Sequence, residues 1–159
     1  MNAPPAGRLT NIETFQAIVA EALAMLYEAF PVPINVHPQQ LHEDLMPYQD
    51  PEGVVEIPDP DSDIRVATWR WLVREGYLRL EGEGGFNLLF CQVVLTSKGL
   101  AVLTQSNDTP ASLPSDKGKT LGARLVEAAT TKATERMVDL VFDILGPATK
   151  VWALSHLHL

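Results

Sequence analysis

The sequence predicts a mainly helical α+β domain, and three observations support that prediction. Nearly half of the 159 residues are apolar, which is enough to bury a core in a single domain. Apolar residues recur at helical spacing over residues 12–30 and again from residue 64 onwards. Between residues 77 and 95, β-favouring runs flank a glycine-rich stretch, which is typical of a hairpin.

The first helix is predicted over residues 12–30. Thr10 and Glu13 match a capping box, in which a hydroxyl and a carboxylate bond to free amides at a helix start. Glu21 is expected to face water, and Pro31 is expected to end the helix because it lacks an amide hydrogen. The expected inward stripe consists of Ile12, Phe15, Val19, Ala22, Leu23, Leu26 and Phe30.

A short strand and a second helix are predicted next. Residues 33–36 favour the strand, and residues 38–45 favour a helix with proline in its first turn, where a missing amide costs little. His37 and His42 lie beside or within that helix without a nearby third ligand. Structural or solvent roles are therefore expected for both histidines rather than metal binding.

An acidic insertion, residues 47–63, separates this part from the centre of the chain. Its prolines and glycine predict irregular backbone, although residues 54–57 favour a strand. We interpret the carboxylates as a solvated loop that also caps the next helix.

The central helix is predicted to begin at Ile64, with Ser62 or Asp61 as its cap, and to end at Gly76. Its inward face is expected to carry Ile64, Ala67, Thr68, Trp71 and Leu72. The roughly opposite face, with Val66, Trp69 and Val73, is also apolar, which favours packing on another element or on a partner.

The hairpin is predicted to pair residues 77–80 with residues 86–95 across a turn at Gly82–Gly85. Thr96 and Ser97 are placed to cap a further short helix. Cys91 falls in the return strand and is expected to be a small buried hydrophobic residue.

Two phrases in this central region, Trp71–Leu78 (WLVREGYL) and Leu95–Leu100 (LTSKGL), carry a resemblance to a known family. Together with the order of helix, hairpin and helix, they resemble the winged helix-turn-helix regulators, broadly the MarR and PadR families. The resemblance implies a winged helix-turn-helix domain over residues 10–104, in which the central helix is the recognition helix and the hairpin is the wing. It also implies DNA binding by a transcriptional regulator.

The remainder is predicted to be a linker, residues 105–119, and a C-terminal helical segment, residues 120–159. Thr120 can cap a helix over Leu121–Leu145 that ends at Gly146. Its near-heptad seam consists of Gly122, Val126, Ala129, Ala133, Met137, Leu140 and Ile144. The seam predicts a homodimer through this extra helix; the alternative is that the helix folds back onto the helix at 12–30 and completes a monomeric core.

Charge is distributed unevenly along the chain, whose net charge is −8. Residues 9–64 contain eleven acidic residues and no lysine or arginine, whereas residues 65–104 carry five basic residues against three acidic ones. DNA binders normally bring positive charge to the phosphates. The candidate nucleic-acid-binding residues are therefore Arg65, Arg70, Arg74, Arg79 and Lys98.

The function expected from these observations is double-stranded DNA binding as a dimer. The alternative is a non-enzymatic winged-helix module that engages another protein and does not bind DNA. No phosphate-binding glycine loop, HExxH motif, cysteine pair or nucleophile elbow occurs in the sequence, so no catalytic, cofactor or metal site is predicted. The start lacks the apolar region of a signal peptide, and no run is apolar enough for a membrane span, so a cytoplasmic location is expected.

Overall fold

The computed structural model describes residues 9–46, 59–85, 88–106 and 117–157, with side chains described as far as Gly146. The described chain is mainly helical α+β, as predicted, with five α-helices and a small antiparallel sheet of four strands. The helices are α1 (Asn11–Ala29), α2 (Ile64–Arg74), α3 (Ser97–Leu103), α4 (Leu121–Thr130) and α5 (Thr134–Leu157). The strands are β1 (Ile34–Val36), β2 (Leu78–Arg79), β3 (Gly82–Gly84) and β4 (Leu89–Leu95).

Helix α1 is the centre of the core. The predicted capping box is confirmed: the Thr10 hydroxyl accepts from the Glu13 amide at 3.1 Å. The predicted inward stripe is wrong at its two ends, because Ile12 is 43% exposed and Phe30 is 36% exposed. Between them the helix is buried on several sides, since α2 and β4 pack against it as well as α4 and α5.

Strand β1 confirms the short strand predicted at 33–36, but the helix predicted at 38–45 is wrong. That segment forms turns and a single 3₁₀ turn at Glu43–Leu45. His42 interrupts the helix, since its φ of 66° lies in the left-handed region that a right-handed helix cannot contain. The strand predicted at 54–57 lies outside the described residues.

Helix α2 has the predicted extent but a different cap. Asp63, rather than Ser62 or Asp61, accepts from the Arg65 amide at 2.9 Å. The reason is that Pro60–Ser62 already form a 3₁₀ turn, so the α-helix starts after it. Gly76 follows the helix with a φ of 84°, as predicted for its end.

The predicted inward face of α2 is rotated from the observed one. Val66, Trp69 and Leu72 are fully buried, although the first two were placed on the second apolar face, roughly opposite the predicted inward one. The helix is turned so that the Trp69 indole meets the ring of Phe90 from β4. Ala67 is consequently exposed, and the outward side of the helix carries Arg70 and Arg74 together with the half-buried Trp71.

The hairpin is confirmed, but its turn lies further along the chain than predicted. Leu78 pairs with Leu95, and the same register continues to Gly84 opposite Leu89. Gly82–Gly84 therefore extends the strand, and the chain reverses between Gly85 and residue 88; residues 86–87 lie outside the described residues. Strand β4 lies between β1 and the β2–β3 arm.

The C-terminal segment folds back onto α1, which is the alternative arrangement stated above. It contains two helices rather than the one predicted over Leu121–Leu145, because Lys132 adopts a φ of 54° between α4 and α5. A second interruption lies at Gly146, where the predicted helix was expected to end. Met137, Leu140 and Ile144 of the predicted seam are buried in the protein's own core, and the homodimer stays a prediction.

Candidate interaction surface

Arg65, the first of the predicted DNA contacts, lies inside the protein. Its guanidinium donates to both carboxylate oxygens of Asp63, at 3.0 and 2.8 Å, and to the backbone carbonyl of Gln39. Burial alone would raise the pKa of Asp63, but the bonds from Arg65, with a further one from Gln39, outweigh it and hold that pKa below its ordinary value. Arg65 therefore stabilises the start of α2 and is not available to a partner.

Arg70 lies on the outward side of α2, where two carboxylates already bind it. Its Nε and Nη2 donate to Oε1 of Glu83 on β3 at 3.0 and 2.9 Å, and its Nη1 donates to Oδ1 of Asp61 at 3.1 Å. The hydrogen bond to Glu83 raises the pKa of Arg70, and Asp61 adds to the shift. The side chain therefore connects α2 to β3 and to the 3₁₀ turn before the helix.

Lys98 is exposed, but it also has partners within the fold. Its Nζ donates to the carbonyl of Glu75 at the end of α2 and lies 4.4 Å from the ring centroid of Tyr77. A cation at this position satisfies a free helix carbonyl and interacts with the aromatic face. The lysine of the LTSKGL phrase thus has a structural explanation.

Thr96 and Gly99 of the LTSKGL phrase also have structural roles, at the contact between α3 and Tyr77. Thr96 caps α3 by accepting from the Gly99 amide at 3.1 Å, its hydroxyl donates to the Gly76 carbonyl at 2.5 Å, and its backbone amide donates to the Tyr77 carbonyl at 3.0 Å. At Gly99, an added Cβ would lie only 2.4 Å from the Tyr77 carbonyl oxygen. The WLVREGYL and LTSKGL phrases therefore specify how α2, β2 and α3 meet.

Arg74 and Arg79 are exposed, and neither has a carboxylate partner among the residues that the structure describes. They are the predicted contacts that remain available. Apart from the buried Asp63–Arg65 pair, residues 59–104 contain four cationic side chains and five carboxylates. The carboxylates are those of Asp59, Asp61, Glu75, Glu81 and Glu83. This segment of the chain as a whole therefore carries no excess of positive charge.

An aromatic cluster lies beside this face. The ring of Trp71 meets Phe15 edge-on at 5.1 Å and stacks on Tyr77 at 6.2 Å between centroids. Burial raises the pKa of Tyr77, and Glu75 adds to the shift. Trp71 and Phe15 are half-buried, which leaves part of both rings at the surface.

A buried polar chain that the sequence reasoning missed joins α1, the 3₁₀ turn and α2. The Trp69 indole donates to Nε2 of His42 at 3.0 Å, and Nδ1 of His42 lies 2.5 Å from Oε2 of Glu21. Glu21 was expected to face water, but it binds this histidine. Helical periodicity gave no signal for these contacts, because His42 is 21 positions from Glu21 and 27 positions from Trp69 in the sequence.

An open groove of about 630 Å³ runs across one face of the hairpin. It is lined by His37, Glu81, the glycine-bearing stretch 82–85, Leu89 and Cys91. Cys91 is half-buried rather than buried, because the glycines opposite it provide no side chain to cover it. The alternation of glutamate and glycine over residues 81–84 was a signal for this strand, although the sequence analysis assigned it to a turn.

In the part of the chain that the structure describes, no three histidine, cysteine, aspartate or glutamate side chains are grouped to hold a metal ion. The described helices include none with both the length and the hydropathy that crossing a membrane requires. Comparison of the chain with protein-family models, with curated proteins and with solved structures finds no match in any of the three.

Proposed function

We propose that this chain is a winged-helix module that binds another protein, does not bind DNA and has no enzymatic role. The element order supports the winged-helix part: α2 is followed by a hairpin, and β4 lies between β1 and the β2–β3 arm. The structure differs from a helix-turn-helix in one respect. In that motif, a helix precedes the recognition helix and crosses the DNA backbone. A single 3₁₀ turn occupies that part of the described chain.

The engagement of Arg70 is the observation that carries the proposal. A recognition helix approaches DNA with side chains free to meet phosphates or base edges. Here Glu83 and Asp61 occupy the guanidinium of Arg70, while Arg65 is buried and Lys98 donates to a backbone carbonyl. Phosphate binding at Arg70 would have to displace these two carboxylates, and residues 59–104 as a whole carry no excess of positive charge.

DNA binding is the second candidate, and the exposure of Arg74 and Arg79 favours it. The burial of Val66 and Trp69 also favours DNA binding, since α2 does not present these apolar side chains to a groove of the DNA. Arg74 lies on α2 and Arg79 on the wing, the two elements that a winged helix directs to DNA.

Retention on generic duplex DNA at low salt separates the two functions. A DNA-binding protein is retained and elutes as salt rises, because each phosphate contact releases counterions. We expect the wild-type protein to pass through a duplex DNA column at low salt without retention. Salt-dependent retention that is lost when Arg70, Arg74 and Arg79 are all replaced by alanine would establish DNA binding and overturn the proposal.

A further inference from the structure

Strand β3 contains two glycines that its own fold does not require. Neither Gly82 nor Gly84 lies in the left-handed backbone region, and an added Cβ at either position would meet no atom within 4 Å. A glycine within a strand weakens it, because it has no side chain to pack and loses more backbone freedom on folding. Glycine at such a position often marks a place where another backbone or a ligand approaches closely.

The two glycines border the groove on the hairpin. Gly82 pairs with Cys91 and Gly84 with Leu89, so these four residues share one face of the hairpin. Because Gly82 and Gly84 put no side chain on this face, the half-buried Leu89 and Cys91 form an apolar floor that is open to solvent. An open groove of this kind suits an extended chain better than a small molecule, which binds in pockets that enclose most of its surface.

Charge around the groove indicates what kind of chain it accepts. Glu81, the residue before β3, is exposed and lines the groove. Glu83 also lines it, but its carboxylate already binds Arg70. The protein as a whole carries a net charge of −8, which attracts cationic partners over a longer range. The described residues that line the groove include no lysine or arginine.

We propose that this groove binds an extended, basic segment of a partner protein, whose apolar side chains cover Leu89 and Cys91 while its lysine or arginine side chains face Glu81. Alternate side chains of an extended segment point in opposite directions, so its apolar residues can face the floor of the groove. The lysine or arginine side chains between them are long enough to reach back over the edge of the groove to Glu81. The bare backbone at Gly82 and Gly84 allows the segment to approach closely. This inference rests on the proposed protein-binding function and names its site and the chemistry of its partner.

The test uses the full chain and a capped heptapeptide of alternating lysine and valine, with the matching peptide of glutamate and valine as a charge control. Binding is followed by ¹H–¹⁵N correlation spectra during titration. The basic peptide should shift the amide signals of Glu81, Gly82 and Gly84 in a saturable manner. The acidic peptide should not shift them.

Two substitutions fill or recharge the groove. Gly82→Val places a side chain in empty space, so the variant should keep its fold while its dissociation constant for the basic peptide rises by roughly tenfold or more. Glu81→Lys should weaken binding by a similar factor. The matched controls are Ala101→Val on α3 and Glu135→Lys on α5, which make comparable changes at exposed positions and should bind as the wild type does.

Several results would overturn the proposal: no saturable shifts, shifts located away from the groove, equal binding of the two peptides, or wild-type affinity in a folded Gly82→Val variant. The DNA column reports on the proposed function independently of these measurements. Absence of DNA retention together with absence of peptide binding would reject the groove alone. DNA retention would reject the proposed function, whether or not the peptide binds.

Discussion

The indole Nε1 of Trp69 donates a hydrogen bond of 3.0 Å to Nε2 of His42, and this bond indicates the tautomer of the imidazole. An indole nitrogen can only donate, so Nε2 must accept and the ring proton resides on Nδ1. The Nδ1–H group therefore donates a hydrogen bond to Oε2 of Glu21, which lies 2.5 Å from Nδ1. The left-handed backbone of His42 is therefore accompanied by hydrogen bonds at both ring nitrogens.

Replacing His42 with alanine should lower the free energy of unfolding by about 1–3 kcal/mol, because the buried indole N–H loses its acceptor. A double-mutant cycle with Trp69→Phe measures the contact itself, and we expect a coupling energy of about 0.5–1.5 kcal/mol from urea denaturation. Gln40→Ala, at an exposed position nearby, is the control. Additive effects of the two substitutions would show that the hydrogen bond does not contribute to stability.

The Asp63–Arg65 pair makes a prediction about acid stability. Asp63 is 2% exposed, and removing one member of a buried ion pair costs about 3–5 kcal/mol, so Asp63→Asn should lower the free energy of unfolding at pH 7 by about that amount. The exposed Asp61, two residues earlier, serves as the control. Asp61→Asn should change stability by less than about 1 kcal/mol.

The pKa of Asp63 in the folded protein lies below its ordinary value of 3.8, so the folded state retains the charged form more strongly. The stabilisation by this pair is therefore complete above pH 3.8 and is lost as the pH falls through the lower folded pKa. Denaturation curves of the wild type and of Asp63→Asn should converge at acidic pH. A constant difference between them at all pH values would contradict the assignment.

Gly99→Ala should destabilise the protein by about 1–3 kcal/mol, as expected for overpacking. The new Cβ would lie 2.4 Å from the backbone oxygen of Tyr77, and a backbone atom cannot move aside as a flexible side chain can. Thermal unfolding compared with Gly84→Ala, where the Cβ meets nothing within 4 Å, tests this prediction. Equal melting temperatures for the two variants would show that α3 does not pack closely on Tyr77.

The C-terminal helices should be required for folding. Leu125 and Leu140 are fully buried against the rest of the core, so a chain ending at residue 119 exposes the side of α1 that α4 and α5 cover. We expect that truncated chain to lack cooperative thermal unfolding. Leu140→Ala in the full chain should cost about 2–5 kcal/mol. A truncated chain that unfolds cooperatively would show that residues 120–159 form a separate unit, as the predicted linker at residues 105–119 implies.

Sequence alone determined the features that depend on neighbouring residues. Thr10, Thr96 and Thr120 were predicted as helix caps, and each accepts from an amide three residues later, a contact that the local chain makes by itself. The hairpin was also predictable, since β-favouring runs flank glycines. Its turn was misplaced because glycine is common both in turns and where a strand is approached closely.

Tertiary structure decided the features that depend on distant residues. Both faces of α2 are apolar, so periodicity did not determine which one is inward; contact between Trp69 and Phe90 of β4 did. His42 leaves the helical region where its side chain meets Glu21 and Trp69, and neither residue is close to it in sequence. The destination of the C-terminal helices was equally open, because an apolar seam is buried as well by a second subunit as by α1. In this structure α4 and α5 pack on α1, although Val126, Ala129 and Ala133 of the seam are only half-buried. The ring of Tyr27 lies so close to Gly122 that an added Cβ would come within 2.7 Å of it.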